Sequence, residues 1–142
     1  MNLATQSDRV ARLAAVLAAV GFAFLAFFQA VLAAGAPWGH AAWGGENAHL
    51  STGQRGASAL AAVIYVSGTL IVLARAGIIW RPRSNTALFR RGTWLLAVAM
   101  GIGAVPNLAS QSRWENLLLG PLALVLAALC TVVARAATTE EA

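Results

Sequence analysis

Lysine is absent from the chain and acids are scarce: five carboxylates stand against ten arginines, leaving a net charge of +5 over 142 residues. Only 11% of the residues are charged, 59% are hydrophobic, and the mean hydropathy is +0.70. A water-soluble domain of this length needs far more polar surface, so that class is excluded. In a soluble protein the basic balance would raise nucleic-acid binding. Here the arginines flank apolar runs, and no nucleic-acid partner is expected. Cysteine is limited to Cys130, inside an apolar run, which excludes an intramolecular disulfide and with it the quinone-linked disulfide-forming enzymes. No serine elbow, glycine-rich phosphate loop or paired carboxylate is present, so no catalytic residue and no cofactor is assigned. Arginine without lysine, beside heavy alanine use, fits a G- and C-rich genome.

What is present is four long apolar runs, over residues 13–36, 57–79, 93–109 and 117–134. None contains an acid, and only Arg75 falls inside one, near its end. About 20 residues cross a ~30 Å hydrocarbon core as a helix, and in lipid the backbone must satisfy its own hydrogen bonds. The expected fold is therefore all-α: a single integral membrane domain over residues 1–142, an antiparallel up-down four-helix bundle. Capping boxes fit Thr5-Gln6-Ser7-Asp8 before span one, Ser51-Thr52-Gly53-Gln54 before span two and Ser112-Arg113-Trp114-Glu115 before span four. Ser84 or Asn85 is the candidate cap for span three. Pro106 predicts a kink or an early end to span three, and Asn107 with Gln29 suggests a polar cavity there. Gly120-Pro121 reads as a tolerated first-turn proline.

Arginine placement gives the orientation. Arg9, Arg12, Arg75, Arg81, Arg83, Arg90, Arg91 and Arg135 share one side of a four-span chain, and only Arg55 and Arg113 occupy the other. The positive-inside rule puts both termini in the cytoplasm of a cell (inner) membrane. Arg75 is expected to snorkel toward its helix end. Arg81, Arg83, Arg90 and Arg91 are also candidate contacts for anionic lipid heads. Residues 9–34 resemble a signal peptide with a small-residue cleavage site, but the apolar stretch is about twice the usual ~7–15-residue core.

Small residues permit close helix approach in lipid. Ala15, Ala19, Ala23, Ala26 and Ala30 form a stripe on span one, with Phe24, Phe27, Phe28 and Leu17 on the opposite sector. A spare small-residue face would allow a homo-oligomer or a place in a larger membrane complex.

Polar and aromatic groups concentrate in the outer loops. The candidate ligand-binding residues are Trp38, His40, Trp43, Glu46, His49, Asn107, Arg113, Trp114 and Glu115. His40, Glu46 and His49 include one Glu-x-x-His pair, which on a helix would share a face. Di-iron bundles need two such pairs and further glutamates, so no metal site is assigned. Loop one spans about twenty residues, whereas a bare helical hairpin needs only ~2–8. It is expected to fold back as a lid onto the turn between spans three and four, held mainly by tryptophan burial. The pairs Glu46–Arg113 and Arg55–Glu115 would add little. Ion-coupled transport is disfavoured, since no span carries an ionisable group near its centre and the first lacks the glutamate of small multidrug exporters.

The strings Pro37-Trp38-Gly39, Ala42-Trp43-Gly44-Gly45, Asn107-Leu108-Ala109-Ser110, Ser112-Arg113-Trp114-Glu115 and Gly120-Pro121 resemble a group of small bacterial four-span membrane proteins. That resemblance covers nearly the whole chain and implies a fold and a location, with no activity attached. The expected function is a small accessory or ligand-binding membrane protein, with a transporter that is not ion-coupled as the alternative and a membrane enzyme third. Orientation is testable by single-cysteine labelling. Asn47→Cys should react from outside intact cells, and Ala87→Cys only after permeabilisation; labelling of position 87 in intact cells would overturn this topology.

Overall fold

The computed structural model describes residues 3–84 and 86–136. Among these the chain forms four long helices and no strand: α1 (Leu3–Ala33), α2 (Thr52–Arg75), α3 (Ala87–Leu108) and α4 (Gly120–Arg135). A π-helical turn, Glu115–Leu119, leads into α4. Their apolar stretches, Gln6–Ala33, Thr52–Arg75, Ala87–Leu108 and Glu115–Arg135, are each long and apolar enough to cross a bilayer. The chain is a multi-pass membrane protein of four helices.

Helix ends depart from the ends of the apolar runs, and glycine explains two of the differences. The runs continue to positions 36 and 79, yet α1 stops at Ala33 and α2 at Arg75. Gly35 (φ +98°) and Gly77 (φ +64°) each adopt the left-handed conformation that ends a helix. The Ala36 amide donates to the Val31 carbonyl (3.2 Å) and the Gly35 amide to Leu32 (3.0 Å), the two bonds of a Schellman motif. Ile78 to Leu73 (3.0 Å) and Gly77 to Ala74 (3.0 Å) repeat the motif on α2. Apolarity reports lipid contact, while chain reversal needs a residue free of a Cβ.

The expected caps divide three ways. Ser51 and Gln54 form the full reciprocal box before α2. Thr5, Gln6, Ser7 and Asp8 lie within α1, which is already helical at Leu3, so position 5 is not the start of the helix. The Ser112 box is half built: the Ser112 hydroxyl accepts weakly from the Glu115 amide (3.5 Å), but the Glu115 carboxylate is engaged elsewhere. For α3 the cap position is Thr86, not Ser84, and Asn85 lies outside the described residues.

Proline acts differently at its two membrane positions. Pro106 lies inside the last turn of α3, which continues to Leu108. Its missing amide leaves the Ile102 carbonyl without a helical donor only near the helix end, where little of the ladder is lost. Pro121 follows the π turn, whose close is the Gly120 amide donating to the Glu115 carbonyl. The wider turn accommodates the amide missing at position 121.

The helices pack in ring order α1–α2–α3–α4, with the pairs α1/α2 and α3/α4 most extensive. Phe22, Val72, Leu96, Leu126 and Cys130 form the central layer, joined by Ala18 and Ala97. The stripe on α1 needs correction. Ala15, Ala19 and Ala26 are buried, but Ala23 and Ala30 face outward, and Ala11, Ala18, Phe22 and Leu25 complete the inner face. Each four-residue step advances about 40° past a full turn at ~3.6 residues per turn, which carries Ala23 and Ala30 beyond the edge of the inner face. Phe24, Phe27 and Leu17 are exposed as expected, while Phe28 packs partly against the core.

Two arginines of α2 secure the ends of its neighbours. The Arg55 Nε donates to the Ala33 carbonyl at the end of α1 (2.9 Å). At the opposite end, the Arg75 guanidinium donates to the carbonyls of Ala134 (3.5 Å) and Ala136 at the end of α4. Each places a cation at the negative end of a helix dipole and satisfies orphan carbonyls. Arg75 thus reaches a helix end, as its position in the sequence requires. At the end bearing the termini, Arg135 lies over the Trp94 ring (5.9 Å) and Trp80 stacks on Phe89 (6.2 Å). Arg81, Arg83, Arg90 and Arg91 are exposed nearby. Replacing Arg75 with methionine keeps the stem but removes the donors to α4. It should lower stability by roughly 1–3 kcal/mol, the cost of unsatisfied buried acceptors. Unfolding of the detergent-solubilised protein measures this, and an unchanged midpoint would remove the clamp from the account.

Candidate functional site: a chamber beneath the first loop

Loop one does fold back over the bundle. Its first turn is a 3-10 turn, Gly39–Ala41, pinned where the Gly39 amide donates to the Ala48 carbonyl (2.8 Å). Three consecutive residues then take positive φ: Trp43 (54°), Gly44 (85°) and Gly45 (77°). For a bulky residue such as Trp43 this conformation is strained, and the surroundings must hold it there. The Trp43 indole Nε1 donates to the buried Ser58 hydroxyl of α2 (3.0 Å). The Gly44 amide donates to Glu115 Oε2 (3.0 Å), and the Ser112 hydroxyl donates to the His40 carbonyl (2.8 Å).

Glu115 is the centre of these contacts. It is only 7% exposed, and the Ser110 hydroxyl also donates to its Oε2. The expected ion pairs do not form among the described residues. Arg55 is committed to the Ala33 carbonyl and Glu115 to Gly44 and Ser110, while Glu46 and Arg113 are exposed and unpaired. A loop amide and a hydroxyl satisfy a buried carboxylate without ordering a second long side chain, which favours them over arginine here.

Under the loop lies a chamber of about 180 Å³ to which every helix contributes. Leu25 and Gln29 come from α1, Tyr65 from α2, Met100, Gly103 and Asn107 from α3, Glu115 and Leu119 from the π turn, Ala123 from α4, and Trp43 is the roof. Its polar side chains are under-used. Gln29 Oε1 is buried and has no hydrogen-bond partner. Among the described residues, neither the Asn107 amide, the Tyr65 hydroxyl nor Glu115 Oε1 forms a hydrogen bond. Toward the loop surface a groove of about 500 Å³ shares Trp43, Asn107 and Glu115 with the chamber and adds Glu46, Ser110 and Gln111. A separate apolar groove of about 450 Å³ runs between α1 and α4, lined by Phe24, Phe28, Trp38, His40, Trp114 and Leu118.

The residues expected to act together are therefore split. Trp43, Asn107 and Glu115 meet in the chamber, Glu46 stands on the groove above it, and Trp38, His40 and Trp114 line the apolar groove. His49 and Arg113 are exposed and line none of the three. Glu46 and His49 do not share a helix face, because residues 46–50 are irregular. His40 Nδ1 sits 2.9 Å from the Gly45 carbonyl, so it carries the proton and donates, serving the loop's own geometry. Among the described residues no cluster of three or more metal-binding side chains occurs. Tyr65 and Ser58 escaped sequence reasoning, since a lone tyrosine and a serine within an apolar span carry no periodic signal. Gln29 was legible only as a partner for Asn107.

No known protein family, curated protein or solved structure matches the chain.

Removing the Glu115 tether should free the loop. Glu115→Ala strands the Gly44 amide at a cost of ~1–3 kcal/mol. In Gly39→Ala the new Cβ would stand 2.2 Å from the Asn47 carbonyl oxygen, so the first turn cannot close. Both variants, and Trp43→Ala, should raise hydrogen exchange across residues 39–50 in native membranes, while Glu46→Gln should leave it unchanged. Equal exchange in Glu115→Ala and the parent would refute the tether.

Proposed function

We propose that this is a cell-membrane protein that holds a small polar molecule in the chamber beneath loop one. The carrying observation is the chamber itself: Gln29, Tyr65, Asn107 and Glu115 line one space inside an apolar bundle, and Gln29 Oε1 is buried there without a hydrogen-bond partner. Unsatisfied polar groups at such a position cost free energy unless something fills the space and bonds to them. Few precisely placed polar groups in a largely apolar concavity are the usual composition of a small-molecule site. The arginine distribution supports cytoplasmic termini, which would put the chamber's mouth outside, and it supports contact of Arg81, Arg83, Arg90 and Arg91 with anionic lipid. Membership of the group of small bacterial four-span proteins belongs to the same proposal.

Binding is favoured over passage. Phe22, Leu96 and Leu126 belong to the close-packed core, and none of them lines the chamber, which favours a closed floor. Gly103 supplies the test. It lines the chamber, and a Cβ added there would meet nothing within 4 Å. Gly103→Leu should fill the space without a clash, and a better helix former contributes up to ~1 kcal/mol of stability. Native mass spectrometry of protein released from membrane nanodiscs should then show a bound small molecule on the parent and none on the variant. Identical spectra would overturn the proposal.

A further inference from the structure

The chamber's chemistry is one-sided, and the sign of its occupant follows. Glu115 brings a carboxylate to a site with no arginine or histidine in its lining. Both hydrogen bonds it receives converge on Oε2, so Oε1 is left without a donor among the described residues. Gln29 adds a buried acceptor with no partner. Asn107 and Gln29 carry amides that present oxygen by a simple rotation, and Tyr65 and Trp43 add aromatic surface. Glu115 Oε1 and the buried Gln29 Oε1 both call for a donor. The two arginines at this end of the bundle are unsuitable: Arg55 is bound to the Ala33 carbonyl, and Arg113 is exposed outside the lining.

Resting on the ligand-binding reading above, we propose that the occupant is a small primary organic ammonium ion. An –NH₃⁺ group carries three donors and no acceptor, which matches Glu115 Oε1, Gln29 Oε1 and one oxygen of Asn107 or Tyr65. Its charge offsets a carboxylate that is 7% exposed and has no counter-ion among the described residues. Aromatic faces favour cations further. The approach has the same sign: the groove above the chamber carries Glu46 and Glu115 and no basic residue, on a chain whose net charge is +5. A mouth lined by one sign of charge concentrates ions of the other. The volume of about 180 Å³ limits the occupant to a few heavy atoms beyond the nitrogen.

Isothermal titration of the full chain in nanodiscs near neutral pH, with ethylammonium, acetamide and acetate as probes, separates the possibilities. Ethylammonium should bind at least about tenfold more tightly than acetamide, and acetate should not bind. Glu115→Gln keeps an acceptor for Gly44 and removes the charge; it should weaken ethylammonium at least about tenfold while sparing acetamide. Gln29→Leu keeps the charge and should weaken ethylammonium as well. Gly103→Leu should abolish all binding. If acetamide binds as tightly as ethylammonium and Gly103→Leu abolishes both, the chamber is a ligand site but not a cation site. Ethylammonium binding that survives Glu115→Gln, Gln29→Leu or Gly103→Leu arises elsewhere and overturns the proposal. Should no probe bind while native mass spectrometry still shows an occupant, the ammonium class falls and the ligand-binding reading stands; absence of both removes both.

Discussion

The Glu115 carboxylate accepting the Gly44 amide is the contact on which the upper half of the molecule depends. A carboxylate buried at the start of a membrane helix must find donors, and the α3–α4 turn supplies only the Ser110 hydroxyl. The remaining donor comes from a loop seventy-one residues away in sequence. Meeting that demand fixes where loop one crosses the bundle, which explains why Trp43 tolerates a left-handed conformation. Once Gly44 is held, the indole is set over the gap between helices, and its bond to Ser58 closes α2 into the same arrangement. One buried charge thereby organises a loop, two helices and the roof of a chamber.

At the helix C-termini the same physics uses cations instead. Lipid offers no donors to the last carbonyls of a helix, and α2 supplies them at both of its ends, through Arg55 to α1 and Arg75 to α4. Because α2 runs antiparallel to α1 and parallel to α4, a single helix reaches one C-terminus at each membrane face. Arginine suits this work better than lysine, since its planar head can donate in several directions while its stem packs against apolar surface. The Arg75 clamp also ties two helices that make little contact otherwise, α2 and α4.

The four spans were legible because lipid imposes length and apolarity on any helix that crosses it, and those properties survive in a linear string. Capping at Ser51 was legible because both partners are local. The Ser112 box misled for the opposite reason: its acid had a stronger bid from a distant amide, and nothing within the motif records that. Loop one was expected to close on tryptophan burial, yet Trp43 is 43% exposed and contributes a directed indole bond, while a backbone amide does much of the holding. Backbone donors are invisible to composition. The chamber is legible in part, since Trp43, Asn107, Glu115 and Gln29 all stand out in the sequence, but Tyr65 joins it from a helix face that only the packing angles determine.

The placement of Gln29 and Asn107 supports the proposal that the chamber holds a ligand. On α1, Gln29 stands seven residues beyond Phe22, two turns along the same inward face, and Phe22 is fully buried. On α3, Asn107 stands seven residues beyond Met100, likewise buried. One level of the bundle is thus sealed by a phenylalanine and a methionine, and the next level up substitutes two amides at equivalent positions. Leucine or phenylalanine at 29 and 107 would extend the same apolar seal and remove the desolvation cost of both amides. A bundle optimised for stability alone would be filled there. The polar level also coincides with Gly103, where a side chain would fit without contact, so volume has been left open as well as polarity introduced. Stability is forgone in two independent ways at one height in the membrane, directly under the residue whose backbone is strained to form the roof. Such coincidence of open volume, unmet polar groups and strain is what a binding site requires and what packing by itself removes.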